Sequence, residues 1–186
     1  MASRREIYTI WMQSLVFHGN GCTVYDSKGE IVYRIDNYGN KCCHKVYLMD
    51  LHGEVLFSIL QKKKLGIFGY WVGYKWSGCK VKKESRPCLK VRKDWRILRR
   101  DMSCDVRLGC DEAKASCSYR IVGLAGKSTF KIMDTNNQLV AEVKQKESTS
   151  GVLLGDDVLT LVVEPQRDHS LVMALMTVYG LINQKM

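Results

Sequence analysis

Proline is nearly absent, with two residues in a chain of 186, and no low-complexity tract occurs. That composition argues against disorder and against a long interdomain linker, so the reading is one domain over residues 1–186. Acidic side chains are scarce: 19 Asp and Glu stand against 29 Lys and Arg, leaving a formal charge of +10. A surplus of that size puts acidic partners forward, whether nucleic acid, anionic lipid headgroups or acidic proteins. Also missing are an apolar export run behind Met1-Ala2-Ser3-Arg4-Arg5-Glu6, a glycine at position 2 for myristoylation, and a C-terminal cysteine for prenylation. The expected location is therefore intracellular and cytoplasmic, with peripheral plasma-membrane or nuclear placement as variants.

Eight cysteines are present, yet no two stand as Cys-x-x-Cys. Adjacent Cys42 and Cys43 point to opposite faces of any strand, and Cys104, Cys110 and Cys117 lack zinc spacing. No metal or other cofactor is expected, and in a reducing compartment the cysteines read as packed free thiols. The four histidines lie beside turns or element ends, and none sits in a catalytic motif. Gly123-Leu124-Ala125-Gly126-Lys127-Ser128-Thr129 imitates a phosphate-binding loop, but its first glycine comes two residues late and both flanks read as strands. The expectation is a binding protein rather than an enzyme, with no catalytic residues.

What is abundant is strand signal. Runs of β-branched and aromatic residues at 8–17, 22–25, 30–35, 45–49, 54–60, 67–75, 88–92, 95–98, 104–108, 118–123, 129–133, 138–143 and 157–163 are separated by turn residues. Many alternate: Leu89 and Val91 share one face while Lys90 and Arg92 share the other. Three turns repeat one pattern: Tyr25-Asp26-Ser27-Lys28-Gly29-Glu30, Met49-Asp50-Leu51-His52-Gly53-Glu54 and Met133-Asp134-Thr135-Asn136-Asn137-Gln138. An Asp that caps the turn amides and a Gly or Asn that accepts the left-handed conformation predict three hairpins of one kind. One Asp per turn is far from the six or more oxygens calcium needs.

The last segment differs. Behind Asp168, a plausible N-cap, runs an uncharged stretch of Leu171, Val172, Met173, Ala174, Leu175, Met176, Thr177, Val178, Tyr179, Gly180, Leu181 and Ile182, with Asn183-Gln184-Lys185 expected to close it. Twelve residues rise about 18 Å, short of the roughly 30 Å bilayer core, so no transmembrane segment is read. A helix apolar all round must be buried all round. The sheet needs an apolar filling, and a closed barrel around Leu171, Val172, Met173, Leu175, Met176, Val178, Leu181 and Ile182 satisfies both.

Basic residues concentrate in one window. Residues 61–100 carry fourteen Lys and Arg against only Glu84 and Asp94, so the excess belongs there. Tyr70, Trp71, Tyr74, Trp76 and Trp95 are interleaved with the cations. One reading puts these aromatics inside the barrel and the lysines on a solvated outer face. The sharper reading is a site for anionic headgroups on Lys62, Lys63, Lys64, Lys82 and Lys83, each worth about 1 kcal/mol near an anionic leaflet. Nucleic-acid binding is the rival, without a recognition helix or RNA-binding signature to support it.

Several segments resemble the LURP-one-related proteins of plants: Trp11-Met12-Gln13-Ser14-Leu15-Val16-Phe17, Gly19-Asn20-Gly21-Cys22-Thr23-Val24-Tyr25-Asp26, Tyr33-Arg34-Ile35-Asp36-Asn37-Tyr38, Leu48-Met49-Asp50 and Gln61-Lys62-Lys63-Lys64-Leu65. So do Val152-Leu153-Leu154-Gly155-Asp156-Asp157-Val158, Leu161-Val162-Val163-Glu164-Pro165 and Leu171-Val172-Met173-Ala174-Leu175-Met176. The resemblance implies a tubby-like fold, a twelve-stranded barrel around a hydrophobic C-terminal helix, and kinship with the tubby C-terminal domain and the phospholipid scramblases. It further implies a link to plant defence and no enzymatic reaction. Tubby domains bind phosphoinositides through a basic surface, though their ligand residues do not map onto this chain. A protein-interaction scaffold is the remaining alternative.

Overall fold

The computed structural model describes residues 4–12, 20–37, 45–64, 67–76, 86–94, 101–109 and 117–183, with positions 20, 63, 64, 67, 68 and 117 described by their backbone. Among them are twelve strands and one helix: β1 (Glu6–Trp11), β2 (Asn20–Tyr25), β3 (Ile31–Asn37), β4 (Lys45–Asp50), β5 (Val55–Lys64), β6 (Ile67–Lys75), β7 (Leu89–Asp94), β8 (Asp101–Leu108), β9 (Cys117–Leu124), β10 (Phe130–Asp134), β11 (Leu139–Gln145), β12 (Val158–Val163) and α1 (His169–Ile182). Each strand pairs antiparallel with its sequence neighbours, and β1 closes the sheet on β12 in the register Glu6↔Val163 to Trp11↔Val158. The barrel predicted from alternation is thus complete and has no free edge.

Alternation decides which side chains enter. Ile10, Val24, Ile35, Leu48, Ile59, Val91, Cys104, Ile121, Ile132, Leu161 and Val163 are buried, on strands whose intervening residues are mostly partly or fully exposed. Against this lining lies α1, buried from Val172 to Gly180, with Leu171, Leu181 and Ile182 half-buried and packed on the same core. Each fully buried Leu, Met or Val contributes roughly 1.5–3 kcal/mol of transfer free energy, which is why a helix without a polar face can persist here. The helix start is as expected: Asp168 accepts a hydrogen bond from the Leu171 amide at 3.1 Å. Its C-cap is Asn183, within the segment expected to close it; Asn183 clasps the β9–β10 turn, its Nδ2 donating to the Lys127 carbonyl at 3.1 Å. Lys185, expected to face the helix dipole, lies outside the described residues.

The helix axis distinguishes two ends of the barrel. At the N-cap end lie the three repeated hairpins, β2–β3, β4–β5 and β10–β11. In each, one Asp oxygen accepts two backbone N–H bonds: Asp26 from Lys28 and Glu30, Asp50 from His52 and Glu54, Asp134 from Asn136 and Gln138, all at 2.8–2.9 Å. Gly29, Gly53 and Asn137 take φ of 83°, 80° and 56°. A strand register shift follows in every copy, so each turn ends in a bulge. The imitation phosphate loop at 123–129 is the end of β9, a tight turn and the approach to β10, with no helix after it.

The interior also explains the thiols. Cys22, Cys88 and Cys104 are thiols outside any disulfide, and Cys88 Sγ donates to the Gly73 carbonyl at 3.3 Å. Burial pushes Cys22 well above the ordinary thiol value and Cys104 up to about 12. These sulfurs stay protonated and pack as small hydrophobes. Cys42, Cys43, His44 and Cys110 lie outside the described residues, as do Trp95 and the candidate strand at 95–98.

Candidate functional site

The window of cations predicted from sequence is divided by the fold. Lys62 is exposed near the end of β5, opposite Tyr70 of β6. Lys63 and Lys64 continue the same strand, while Lys82 and Lys83 lie outside the described residues. The interleaved aromatics divide as well. Trp71 points inward and is 6% exposed. Trp76 donates its indole N–H to Ser58 Oγ at 3.3 Å. Tyr70 lies outside, its ring beneath two cations of β7: Lys90 Nζ is 4.5 Å from the ring centroid and the Arg92 guanidinium 5.5 Å. Such contacts at exposed sites are worth about 0.5–1 kcal/mol each and hold flexible side chains in place.

From Tyr70 the basic surface continues across the outer wall of β7, β8 and β9. Register sets the pairs: Lys90 faces Arg107, Arg92 faces Asp105, and Asp105 faces Arg120. The Arg120 Nε to Asp105 Oδ1 distance is 3.6 Å, with both side chains substantially exposed, so this ion pair is weak. Lys90 opposite Arg107 places like charges side by side, an arrangement that disfavours the empty surface. These side chains, with Lys93 and Asp94, line a recess of about 440 Å³. Five cations and two carboxylates face one opening.

That volume is in the range of small-molecule sites, but such sites are usually apolar and this one is lined with charge. Arginine offers forked, bidentate donors that match phosphate oxygens, and lysine a mobile point charge. The chemistry favoured is the holding of a compact polyanion. Arg107 and Arg120 fall outside the basic window of the sequence. Their signal was hidden because a linear count cannot place β8 and β9 beside β7; only strand order brings them to Lys90 and Arg92.

A second polar cluster sits where the helix enters. The Tyr8 hydroxyl is 2.6 Å from Glu6 Oε2 and 2.8 Å from His169 Nδ1. Burial, reinforced by the Glu6 hydrogen bond, pushes the Tyr8 phenol far above its ordinary value. A phenol so held stays protonated and ties β1 to the first helical residue. Across the same mouth Lys75 pairs with Asp168 at 3.1 Å. Among the described residues no three His, Cys, Asp or Glu side chains converge as a metal site, and no helix is long and apolar enough to cross a membrane.

A family model described as LURP-one-related matches residues 6–180. LURP-one-related protein 4 of Arabidopsis thaliana is 45% identical over 183 residues, covering 98% of this chain and 80% of that one. LURP-one-related protein 11 of the same plant is 42% identical over 185 residues, with 98% and 80% covered. An X-ray structure of a further Arabidopsis thaliana protein has a TM-score of 0.67 at 15% identity, covering 98% of this chain and 93% of that one. At that identity the likeness speaks for a shared fold.

Proposed function

The chain belongs to the LURP-one-related family, and on that premise we propose that it is a non-enzymatic binding and signalling protein that takes up the anionic headgroup of a phospholipid on its outer wall. The observation that carries this reading is the recess of Lys90, Arg92, Arg107 and Arg120, with Tyr70 propping two of its cations. Lys62, across from Tyr70, extends the basic surface toward the end of β5, where Lys63 and Lys64 follow. The phosphoinositide binding of tubby domains, kin by resemblance, supports the same ligand class. A part in plant defence, also implied by the resemblance, belongs to the same proposal.

The test is vesicle sedimentation beside a DNA mobility shift, each across a range of salt. Vesicles of phosphatidylcholine carrying a phosphoinositide are expected to bind, and those of phosphatidylcholine alone to stay free. Replacing Lys90, Arg92 and Arg107 by Gln removes roughly 1 kcal/mol per cation, and so lowers vesicle affinity by about a hundredfold. Replacing Lys62, Lys63 and Lys64 by Gln tests the β5 end in the same way. Equal binding of DNA and lipid with a steep salt slope and no headgroup preference would reduce the surface to generic charge. Binding of neither would point instead to a protein-interaction scaffold.

A further inference from the structure

Strand register orders the charges of the recess. Arg92 of β7, Asp105 of β8 and Arg120 of β9 face one another in one outward row. Two residues along the strands, the next outward row sets Lys90 beside Arg107. Neighbouring strands lie about 4.8 Å apart, and successive outward residues of a strand about 6.7 Å apart. Asp105 therefore has an arginine on either side and a pair of cations one step away, with Lys93 and Asp94 lining the same recess. The carboxylate stands among the cations, and any anion held by them must meet it.

Asp105 is not withdrawn from the opening. Its side chain is 42% exposed, and its ion pair with Arg120 is long at 3.6 Å. An ionised carboxylate only accepts hydrogen bonds, through two oxygens with about four acceptor positions, so it can serve a donor on the ligand as well as Arg120. Toward a phosphate oxygen it is repulsive, and that repulsion lowers the affinity of any ligand that presents phosphate alone. Hydroxyl groups on the carbons beside a phosphate remove the conflict. The arginine forks and lysine ammonium groups take the phosphates, and the carboxylate takes the hydroxyls.

We infer that Asp105 selects a phosphorylated polyol, accepting hydrogen bonds from its free hydroxyls while the surrounding cations hold its phosphates. The inference rests on the headgroup reading above, and adds the chemical class of the headgroup and the residue that reads it. A polyphosphate, a DNA backbone or phosphatidate carries phosphate without such hydroxyls and meets Asp105 as repulsion.

The experiment titrates the full chain, D105A and D105N with three soluble probes: an inositol trisphosphate, inositol hexakisphosphate and tripolyphosphate. Vesicles of phosphatidylcholine carrying either a phosphoinositide or phosphatidate supply the lipid forms. The unmodified chain is expected to bind inositol trisphosphate about tenfold or more tighter than tripolyphosphate, since a hydrogen bond to a charged acceptor is at stake. In D105A that preference should shrink about tenfold or more. The gain should appear on tripolyphosphate and on inositol hexakisphosphate, whose ring keeps no free hydroxyl, and D105N should lie between. Phosphoinositide vesicles should likewise be preferred to phosphatidate vesicles by the unmodified chain and less so by D105A. Absence of a preference in the unmodified chain, or an equal change on all soluble probes in D105A, overturns the role of Asp105 and leaves a basic recess standing. Binding of inositol trisphosphate without binding of vesicles keeps that role and overturns the lipid as its source; binding of none of the probes removes both. D105N, which keeps the size of the side chain, carries the comparison if D105A fails to fold by circular dichroism.

Discussion

Replacing Gly123 by alanine should destabilise the barrel, and the reason is one hydroxyl on the helix. Gly123 faces inward on β9, opposite Phe130 of β10 and Met102 of β8. A Cβ placed there would lie 2.2 Å from the Tyr179 hydroxyl oxygen, 2.8 Å from the Thr129 carbonyl and 2.9 Å from Phe130 Cβ. Tyr179 cannot swing away easily, because it is 1% exposed, packs on Phe130 with ring centroids 4.1 Å apart, and donates to the Leu124 carbonyl at 3.3 Å. Overpacking of this kind costs about 1–3 kcal/mol. For a chain of this length that is roughly 2–4 °C in Tm per kcal/mol. Tyr179→Phe alone loses one hydrogen bond, about 0.5–1.5 kcal/mol. Combined, the two changes should cost less than their sum, because the phenylalanine removes the closest obstruction. The Thr129 and Phe130 contacts remain, so relief is partial, with a coupling of about 1 kcal/mol. Urea denaturation of the four proteins measures it. Additive costs, or a Gly123→Ala chain as stable as its parent, would refute the reasoning. The first glycine of the apparent phosphate loop is therefore read as clearance for a tyrosine.

The hairpins make a sharper comparison: Gly53→Asn should fall within about 0.5 kcal/mol of the parent, since Asn137 holds the same place at φ 56° in the third copy. Gly53→Val should lose about 1–2 kcal/mol from backbone conformation, because no atom crowds the site. Stability should also fall in acid. Asp134 is held below its ordinary 3.8 first by the Gln138 amide, then against slight burial by the Asn136 amide and Arg167. A depressed carboxylate contributes above its ordinary range and loses that contribution as pH drops through the folded value, so Asp134→Asn should lower stability near neutrality and flatten the acid limb of a stability-versus-pH curve, parent and variant converging at low pH. Ending the chain before Leu171 should leave a product that binds a hydrophobic dye and lacks near-ultraviolet circular dichroism; a cooperatively melting monomer would contradict the role given to the helix.

Alternation and turn chemistry were enough to place most strands within a few residues. β6 coincides with the expected run, and the three Asp turns repeat one another bond for bond. β5 runs on through Lys62, Lys63 and Lys64 because pairing with β6 carries it beyond its apolar pattern. A strand made by its neighbour leaves no periodic trace of its own. The helix was legible for the opposite reason, since twelve uncharged residues have no other place to go. Asn183 was legible as part of the closing segment, but its contact with the β9–β10 turn is one that only the tertiary fold creates. The recess was half visible: Lys90 and Arg92 stood in the basic window, but Arg107 and Arg120 depend on registers joining residues 13–17 positions apart.

The seam between β1 and β12 has a consequence for how the chain comes into being. The first strand waits for a partner 147–157 residues later, and the filling emerges after that. At roughly 5–20 residues per second, a ribosome leaves the growing sheet open for about 10–40 s. During that interval its inward face has no core and β1 lacks one of its two neighbours. Biogenesis of this fold must therefore shelter a nearly finished, unsealed intermediate, and shortage of that shelter should depress yield well before any mutation depresses melting temperature.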